Sequence, residues 1–359
     1  MSFWFFLCLI LAMPWSFCFA EPWLPEQDPY LWDINLIQKF DRLPKTQALV
    51  GKEIPWTTTY WADFQSGIAH RWANNFPEDY TYVPPSLERL KKMIPSEINK
   101  LSPAEKWDIY HSHYDYPTVA SERKRTNPSE VKWAGICHGW GLASIGFEEP
   151  QNFHFVNAEG IELILNSTDV KALVSLAVAD QALNDSLLLG TRCDRSGRMN
   201  RTNIVTAECS GVNPGVFHLV LANSLGLKKK AFITNVSRDE QIWNHPVYGY
   251  ESEAISEAGP SRKASLVTVR EIQMETYLFL VDMQDPLTPD PVQGTVNQPL
   301  TSEKYVYWLE LDVNDDVVGG TWETFWHPGF IWKNKNPIHP FTGTFEGLEK
   351  MLKVGNVIQ

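Results

Sequence analysis

The sequence predicts an α+β protein whose N-terminal region is mostly helical, whose centre mixes helix and strand, and whose C-terminal region is rich in strands. Three patterns support this class: helix-start signals among Pro, Trp and Tyr clusters over residues 21–132, short apolar runs separated by Gly and Asn over 133–262, and β-branched and aromatic runs over 263–359. With 359 residues, 43% hydrophobic and 13% aromatic, the chain can bury a substantial core. Its formal net charge of −12 argues against nucleic acid or an anionic membrane surface as a partner.

Residues 1–20 form an apolar run without Lys, Arg, Asp or Glu, and they end in Cys18-Phe19-Ala20. Small residues at the third and first positions before a cut are typical of a secretory signal peptide, so we expect cleavage before Glu21. A membrane anchor is the alternative, because about 20 apolar residues can span a bilayer. Cleavage predicts a secreted or periplasmic protein without a membrane partner.

The clearest helix start in the N-terminal region is Ser102-Pro103-Ala104-Glu105. Ser is a good N-cap, Pro suits the first helical position, and Glu at the third position completes a capping box. Helical spacing of apolar residues also follows Ser86, beginning at Leu87.

The C-terminal region contains three strand-like runs, Leu266–Val269, Tyr277–Val281 and Tyr305–Leu311. The last run meets Val317–Trp322 across an Asn-Asp-Asp turn, which predicts a β-hairpin. The polar, Pro-rich stretch 285–298 is expected to be an exposed loop.

Three cysteines follow the predicted cleavage site. Cys193 and Cys209 are close in sequence and lie in turn-like surroundings, so we predict that they form a disulfide. Cys137 is then a free thiol in an oxidising compartment, which favours a functional role over a structural one.

The strongest chemical motif is Trp133-Ala-Gly-Ile-Cys137-His-Gly-Trp140. Glycines on both sides of the cysteine permit a tight backbone, and the small residues after it predict a helix that begins at Cys137. The helix N-terminus would lower the pKa of the thiol and offer N–H groups to an oxyanion. Trp133 and Trp140 are expected to border the substrate. A buried, inert cysteine is the alternative.

A thiol nucleophile requires a base, and His218 is the best candidate because it lies in an otherwise apolar run after Asn213-Pro214. This run fits a helix or a strand, and a core histidine is the alternative role. His138 adjoins the cysteine, but neighbouring side chains on a helix diverge. The strand-like run 231–236 carries Asn235, and Asp239 follows it, so either residue could orient the imidazole.

Several stretches of the chain resemble the transglutaminase elicitor family, whose members include secreted oomycete elicitors and bacterial proteins. They occur in the same order as in that family and are Ser102–Lys106, the Cys137 motif, Thr168–Leu173, Asn213–His218 with Leu221–Asn223, Ile242–Val247, and Leu309–Asp312 with Gly319–Trp322.

The resemblance implies a papain-like thiol fold and acyl transfer from a glutamine carboxamide to a lysine or polyamine amine, with water as the default acceptor. It implies Cys137 as the nucleophile, His218 as the base and Asn235 or Asp239 as the third residue. Two other functions stay open: a cysteine hydrolase, either a deamidase or a protease, with the same pair, and a non-catalytic secreted binding protein.

We expect no cofactor and no catalytic metal. Asp312, Asn314 and Asp316 match the first positions of a calcium loop, so calcium is the ion that the sequence leaves open. Val317 stands where such a loop requires glycine, which favours a hairpin turn. His111-Ser-His113 has no nearby zinc-type partners.

Overall fold

The computed structural model describes residues 23–71, 78–191, 210–284 and 300–353. Its α-helices in chain order are α1 (Pro29–Trp32), α2 (Leu87–Leu90), α3 (Pro95–Ile98), α4 (Pro103–Tyr110), α5 (Pro117–Arg125), α6 (Cys137–Gly146), α7 (Ser167–Asn184) and α8 (Pro214–Val220), which continues as a π-helical segment over Leu221–Leu227. Its strands are β1 (Thr46–Ala48), β2 (Phe153–Val156), β3 (Glu162–Leu165), β4 (Ser186–Gly190), β5 (Phe232–Asn235), β6 (Asn244–Ala258), β7 (Arg270–Val281), β8 (Leu300–Leu311), β9 (Val317–Trp322) and β10 (Phe330–Asn334).

Eight of the described strands form one sheet in the order β4-β10-β5-β6-β7-β8-β9, with β1 added to β6. Every pairing in this sheet is antiparallel. β10 lies between β4 and β5, so the C-terminal strands belong to the same sheet as the central ones. Strands from both sides of residue 262, after which the predicted β-rich C-terminal region begins, therefore share one sheet.

The mixed helix and sheet class predicted from the sequence is confirmed. α4 begins with the predicted capping box, since the Ser102 hydroxyl accepts from the Glu105 N–H and the Glu105 carboxylate accepts from the Ser102 N–H. The predicted hairpin is also present, because β8 and β9 pair across residues 312–316. The run around His218, which fitted a helix or a strand, is the helix α8.

One strand prediction is wrong. Leu266–Val269 is a turn in which Leu266, Val267 and Val269 are exposed. The Glu310 carboxylate holds this turn, because it accepts hydrogen bonds from the Ser265 N–H and the Thr268 hydroxyl. A buried carboxylate on the neighbouring strand thus outweighs local β propensity.

The sheet separates two hydrophobic cores. The first core packs α4, α6 and α7 against one face, and the second core packs α1 and α8 against the other. Consecutive residues of a strand point to opposite faces, so each strand supplies both cores. Three pairs of consecutive residues show this, since one residue of each pair lies in each core. Ile233, Val281 and Trp332 lie in the first core, and their neighbours Phe232, Leu280 and Ile331 lie in the second core.

None of the helices in the described part of the chain is long and apolar enough to cross a membrane. The predicted signal peptide at 1–20, the Cys193–Cys209 pair and the loop 285–298 lie outside the described residues.

Candidate active site

Cys137 is the first residue of α6, as the sequence predicts. Two glycines allow the backbone around it to pack closely. A Cβ at Gly135 would lie 2.4 Å from the Tyr60 carbonyl oxygen, and one at Gly139 would lie 2.1 Å from the Ser175 carbonyl oxygen. Only glycine therefore lets the segment before Cys137 and the first turn of α6 reach their neighbours.

The Cys137 thiol is buried and contacts the start of β6. The Asn244 side-chain amide donates a hydrogen bond to Sγ at 3.3 Å, and Sγ lies 3.6 Å from the Ile242 carbonyl oxygen. The Asn244 carbonyl oxygen in turn accepts from the Trp332 indole N–H at 2.8 Å. The amide is thus held with its N–H₂ group towards the sulfur, because its oxygen is already occupied.

Burial raises the pKa of the Cys137 thiol, and hydrogen bonds oppose this shift. The donors are the Asn244 amide and the backbone N–H groups of Asn244, His138 and Cys137. These donors surround the position at which negative charge would develop if the sulfur or a bound acyl group became anionic.

A cleft of about 370 Å³ opens beside the thiol. Trp133 lines it together with Cys137, His138 and apolar residues of α7 and β4. Trp140 does not line the cleft. It is fully buried, and its indole N–H donates to the Trp56 carbonyl oxygen at 2.9 Å. Trp140 therefore packs in the core next to the cleft and does not form part of its wall.

The structure does not bring His218 to Cys137. His218 lies on α8 beside the second core, on the opposite face of the sheet, and its Nδ1 atom is 2.8 Å from the Tyr307 hydroxyl oxygen. Burial lowers the pKa of His218 to about 4. This is the core histidine that the sequence left as the alternative, and the predicted pairing fails because α6 and α8 pack on different faces.

Asn235 and Asp239 also make local contacts instead of orienting His218. The Asn235 side-chain oxygen accepts from the Ser237 N–H at 3.1 Å, and the Asp239 carboxylate accepts from the Gln241 N–H at 3.0 Å. Asn235 on β5 nevertheless lies directly opposite Asn244 on β6, the residue that donates to the Cys137 thiol.

His245, which directly follows Asn244 on β6, was not among the site residues predicted from the sequence. Its ring centroid lies 6.4 Å from that of Trp140, one helical turn beyond Cys137 on α6. Its Nδ1 atom lies 3.1 Å from the Val281 carbonyl oxygen and 3.8 Å from the Asp282 carboxylate. A carbonyl oxygen can only accept, so Nδ1 carries the hydrogen and Nε2 is left as the proton acceptor. Burial lowers the pKa of His245, while the Val281 hydrogen bond and Asp282 oppose this shift.

The residues that matched a calcium loop form the turn between β8 and β9. The Asp312 carboxylate accepts from the N–H groups of Asn314 and Asp316, and Asp315 pairs with Arg270. Among the described residues, no group of three or more His, Cys, Asp or Glu side chains is arranged to hold a metal ion.

Comparison with known proteins decides the family. The sequence profile named "Transglutaminase elicitor" matches residues 29–351. The chain belongs to the transglutaminase elicitor family. The crystal structure of the GP42 transglutaminase from Phytophthora sojae is similar to this family member with a TM-score of 0.64. The match covers 89% of this chain and 93% of the GP42 chain at 19% sequence identity, and it supports the fold. Comparison with curated protein sequences gives no match.

Proposed function

We propose that this member of the family is a secreted protein-glutamine γ-glutamyltransferase with Cys137 as the nucleophile. The observation that carries the proposal is the thiol environment: Sγ lies at the N-terminus of α6, within 3.3 Å of an amide donor fixed by Trp332, and beside an open cleft. A thiol that only filled core space would need neither the donor nor the cleft.

In the proposed reaction, the Cys137 thiol loses its proton as the sulfur attacks the carboxamide carbon of a glutamine side chain. The resulting oxyanion accepts hydrogen bonds from the N–H donors around Cys137. The base returns the proton to the leaving nitrogen, ammonia departs, and a thioester remains. A lysine or polyamine nitrogen then attacks the thioester, gives its proton to the base, and restores the thiol.

We propose His245 as the base, in place of His218. The neutral tautomer, with Nε2 as the acceptor, supports this role, and so does the 6.4 Å separation of its ring from that of Trp140, one helical turn beyond Cys137. Asp282 would stabilise the imidazolium that forms, because a carboxylate 3.8 Å away favours the protonated ring. The proposal includes a papain-like core, with the cysteine at a helix N-terminus and the histidine on a strand of the sheet.

The test is incorporation of a fluorescent primary amine into casein by the purified full-length protein under reducing conditions, with ammonia release measured in parallel. Cys137→Ala is expected to abolish incorporation while circular dichroism stays unchanged. His245→Gln is expected to slow it by about 10²- to 10⁴-fold, the usual contribution of a general base. His218→Gln serves as the matched control and is expected to retain activity.

Undiminished activity of Cys137→Ala would refute the nucleophile. Loss of activity in His218→Gln with retention in His245→Gln would refute the base. Ammonia release without incorporation would identify a deamidase that uses the same thiol. The absence of both signals in a folded protein would favour a binding protein.

Secretion is proposed from the apolar run at residues 1–20. Protein recovered from the culture medium or periplasm is expected to begin at Glu21, as determined by N-terminal sequencing. An N-terminus at Met1 in a membrane fraction would instead identify an anchor.

A further inference from the structure

The cleft beside Cys137 ends in an apolar rim that attack by the thiol does not itself require. Leu183 at the end of α7 and Leu188 on β4 line the same cleft as the thiol. Both are large apolar side chains that water reaches, since Leu183 is 62% exposed and Leu188 is 38% exposed. Single exposed apolar side chains are common on protein surfaces, but two that border one cleft beside a proposed nucleophile indicate a surface that a substrate covers.

The rim lies across the sheet from the thiol. Asn244, which contacts Sγ, is on β6, and β5 and β10 lie between β6 and β4. Three strand spacings therefore separate β6 from β4, a distance of about 14 Å. An extended peptide rises about 3.3 Å per residue, so it crosses this distance in about four residues. A side chain at Cys137 and a side chain at Leu188 can thus belong to one extended segment.

The cleft between its two ends carries little net charge. Phe330 and Trp332 of β10 form part of its lining. Asp63 is the acidic residue among the described residues that line the cleft, and it pairs with the Arg125 guanidinium at 2.9 Å. Burial lowers the pKa of His138, which also lines the cleft, to about 4, so its ring is uncharged at neutral pH. The cleft therefore favours an apolar side chain over a charged one.

We propose that Leu183 and Leu188 select the glutamine donor by binding an apolar side chain about four residues from the reactive glutamine of an extended peptide segment. This specificity rests on the proposed function, because it assigns the substrate of the Cys137 thiol. The glutamine carboxamide would reach Sγ, and the segment would cross β5 and β10 to the rim. A leucine at that distance would bury its side chain against the two rim leucines, which strengthens binding by about tenfold or more.

The test uses labelled peptides with one central glutamine in a serine and glycine background, and with a single leucine at successive positions on either side. Fluorescence anisotropy measures their affinity for the full-length Cys137→Ala protein, and amine incorporation by the wild type gives kcat/KM. A leucine about four residues from the glutamine is expected to bind about tenfold or more tightly than serine at the same position, and to raise kcat/KM by a similar factor.

Two sets of variants make the result specific to the rim. Leu183→Gln/Leu188→Thr is expected to remove the preference for leucine over serine. Leu183→Gln alone changes an exposed residue at a helix end, so a partial loss of preference in this variant separates binding from any folding defect of the double variant. The matched control Leu227→Gln/Val156→Thr replaces two exposed apolar side chains outside the cleft and is expected to keep the preference.

Equal or absent binding of the leucine and serine peptides to Cys137→Ala would overturn the proposal. An unchanged preference in Leu183→Gln/Leu188→Thr, or an equal loss in the control variant, would also overturn it. Preferential binding without turnover by the wild type would support the selective rim and refute the acyl transfer, so the two failures are distinguishable.

Discussion

Replacing Asn244 by Asp is the sharpest test of the thiol environment. The substitution keeps the size of the side chain and its acceptor for the Trp332 indole N–H. It replaces the amide group that donates to Sγ at 3.3 Å with a carboxylate oxygen. The variant therefore replaces a hydrogen-bond donor that stabilises the thiolate with a negative charge that repels it.

The magnitude follows from the distance. Two unit charges about 4 Å apart repel by about 4 kcal/mol at an effective dielectric constant of about 20. The pKa of Cys137 should therefore rise beyond its already raised value, and about 1.4 kcal/mol corresponds to a factor of ten in the thiolate fraction. The thiolate fraction at a fixed pH below that pKa should fall by about a thousandfold.

The assay is the rate of Cys137 alkylation by iodoacetamide between pH 6 and 10, followed by mass spectrometry of the intact protein. The wild-type rate should rise with pH, and the Asn244→Asp profile should shift to higher pH. Asn235→Asp is the matched control, because it places the same charge on the adjacent strand in a side chain that contacts Ser237 instead of the thiol. Its shift should be smaller. Superimposable profiles for wild type and Asn244→Asp would refute the contact between Asn244 and the sulfur.

Two further predictions concern stability. The pKa of His218 is lowered from its usual 6.5 to about 4 by burial, so its contribution of about 3 kcal/mol is present above pH 6.5 and lost as the pH falls through 4. In urea unfolding, His218→Gln should therefore lose stability less steeply than wild type between pH 6.5 and 4, and equal slopes would contradict this. Lys106→Met should destabilise the fold by about 3–5 kcal/mol, because it leaves the buried Asp169 carboxylate unpaired. The double variant Lys106→Met/Asp169→Asn should recover part of the loss, whereas a full additive loss would argue against the ion pair.

The sequence predicted elements whose signals are local. The capping box at Ser102 and the hairpin around residues 312–316 depend on residues a few positions apart, and both are present. The position of Cys137 at a helix start also follows from its small neighbours. The long strand β6 was not predicted, because Pro246 interrupts its apolar pattern and proline is uncommon inside a sheet.

The histidine that we propose as the base could not be predicted from local pattern, since its position depends on which face of the sheet each helix covers. His218 and His245 both lie near apolar runs, and one residue of register decides the face to which a strand side chain points. The stretch Ile242–Val247 was among those that resemble the family, and it supplies both Asn244 and His245. The sequence therefore contained the motif, but only the packing of α6 against β6 places Asn244 at the thiol.

The resting thiol is uncharged. Burial raises the pKa of Cys137 and lowers that of His245, so the proton stays on sulfur rather than on the imidazole. The 3.6 Å contact between Sγ and the Ile242 carbonyl oxygen agrees, because a carbonyl accepts only from a protonated sulfur. In the proposed reaction the thiolate would therefore form during the attack, when the Asn244 amide and the nearby backbone N–H groups meet the developing charge. It follows that alkylation by a small reagent near neutral pH reports a weakly reactive thiol even in an active enzyme, and that amine incorporation into a bound glutamine donor is the more sensitive measure of catalysis.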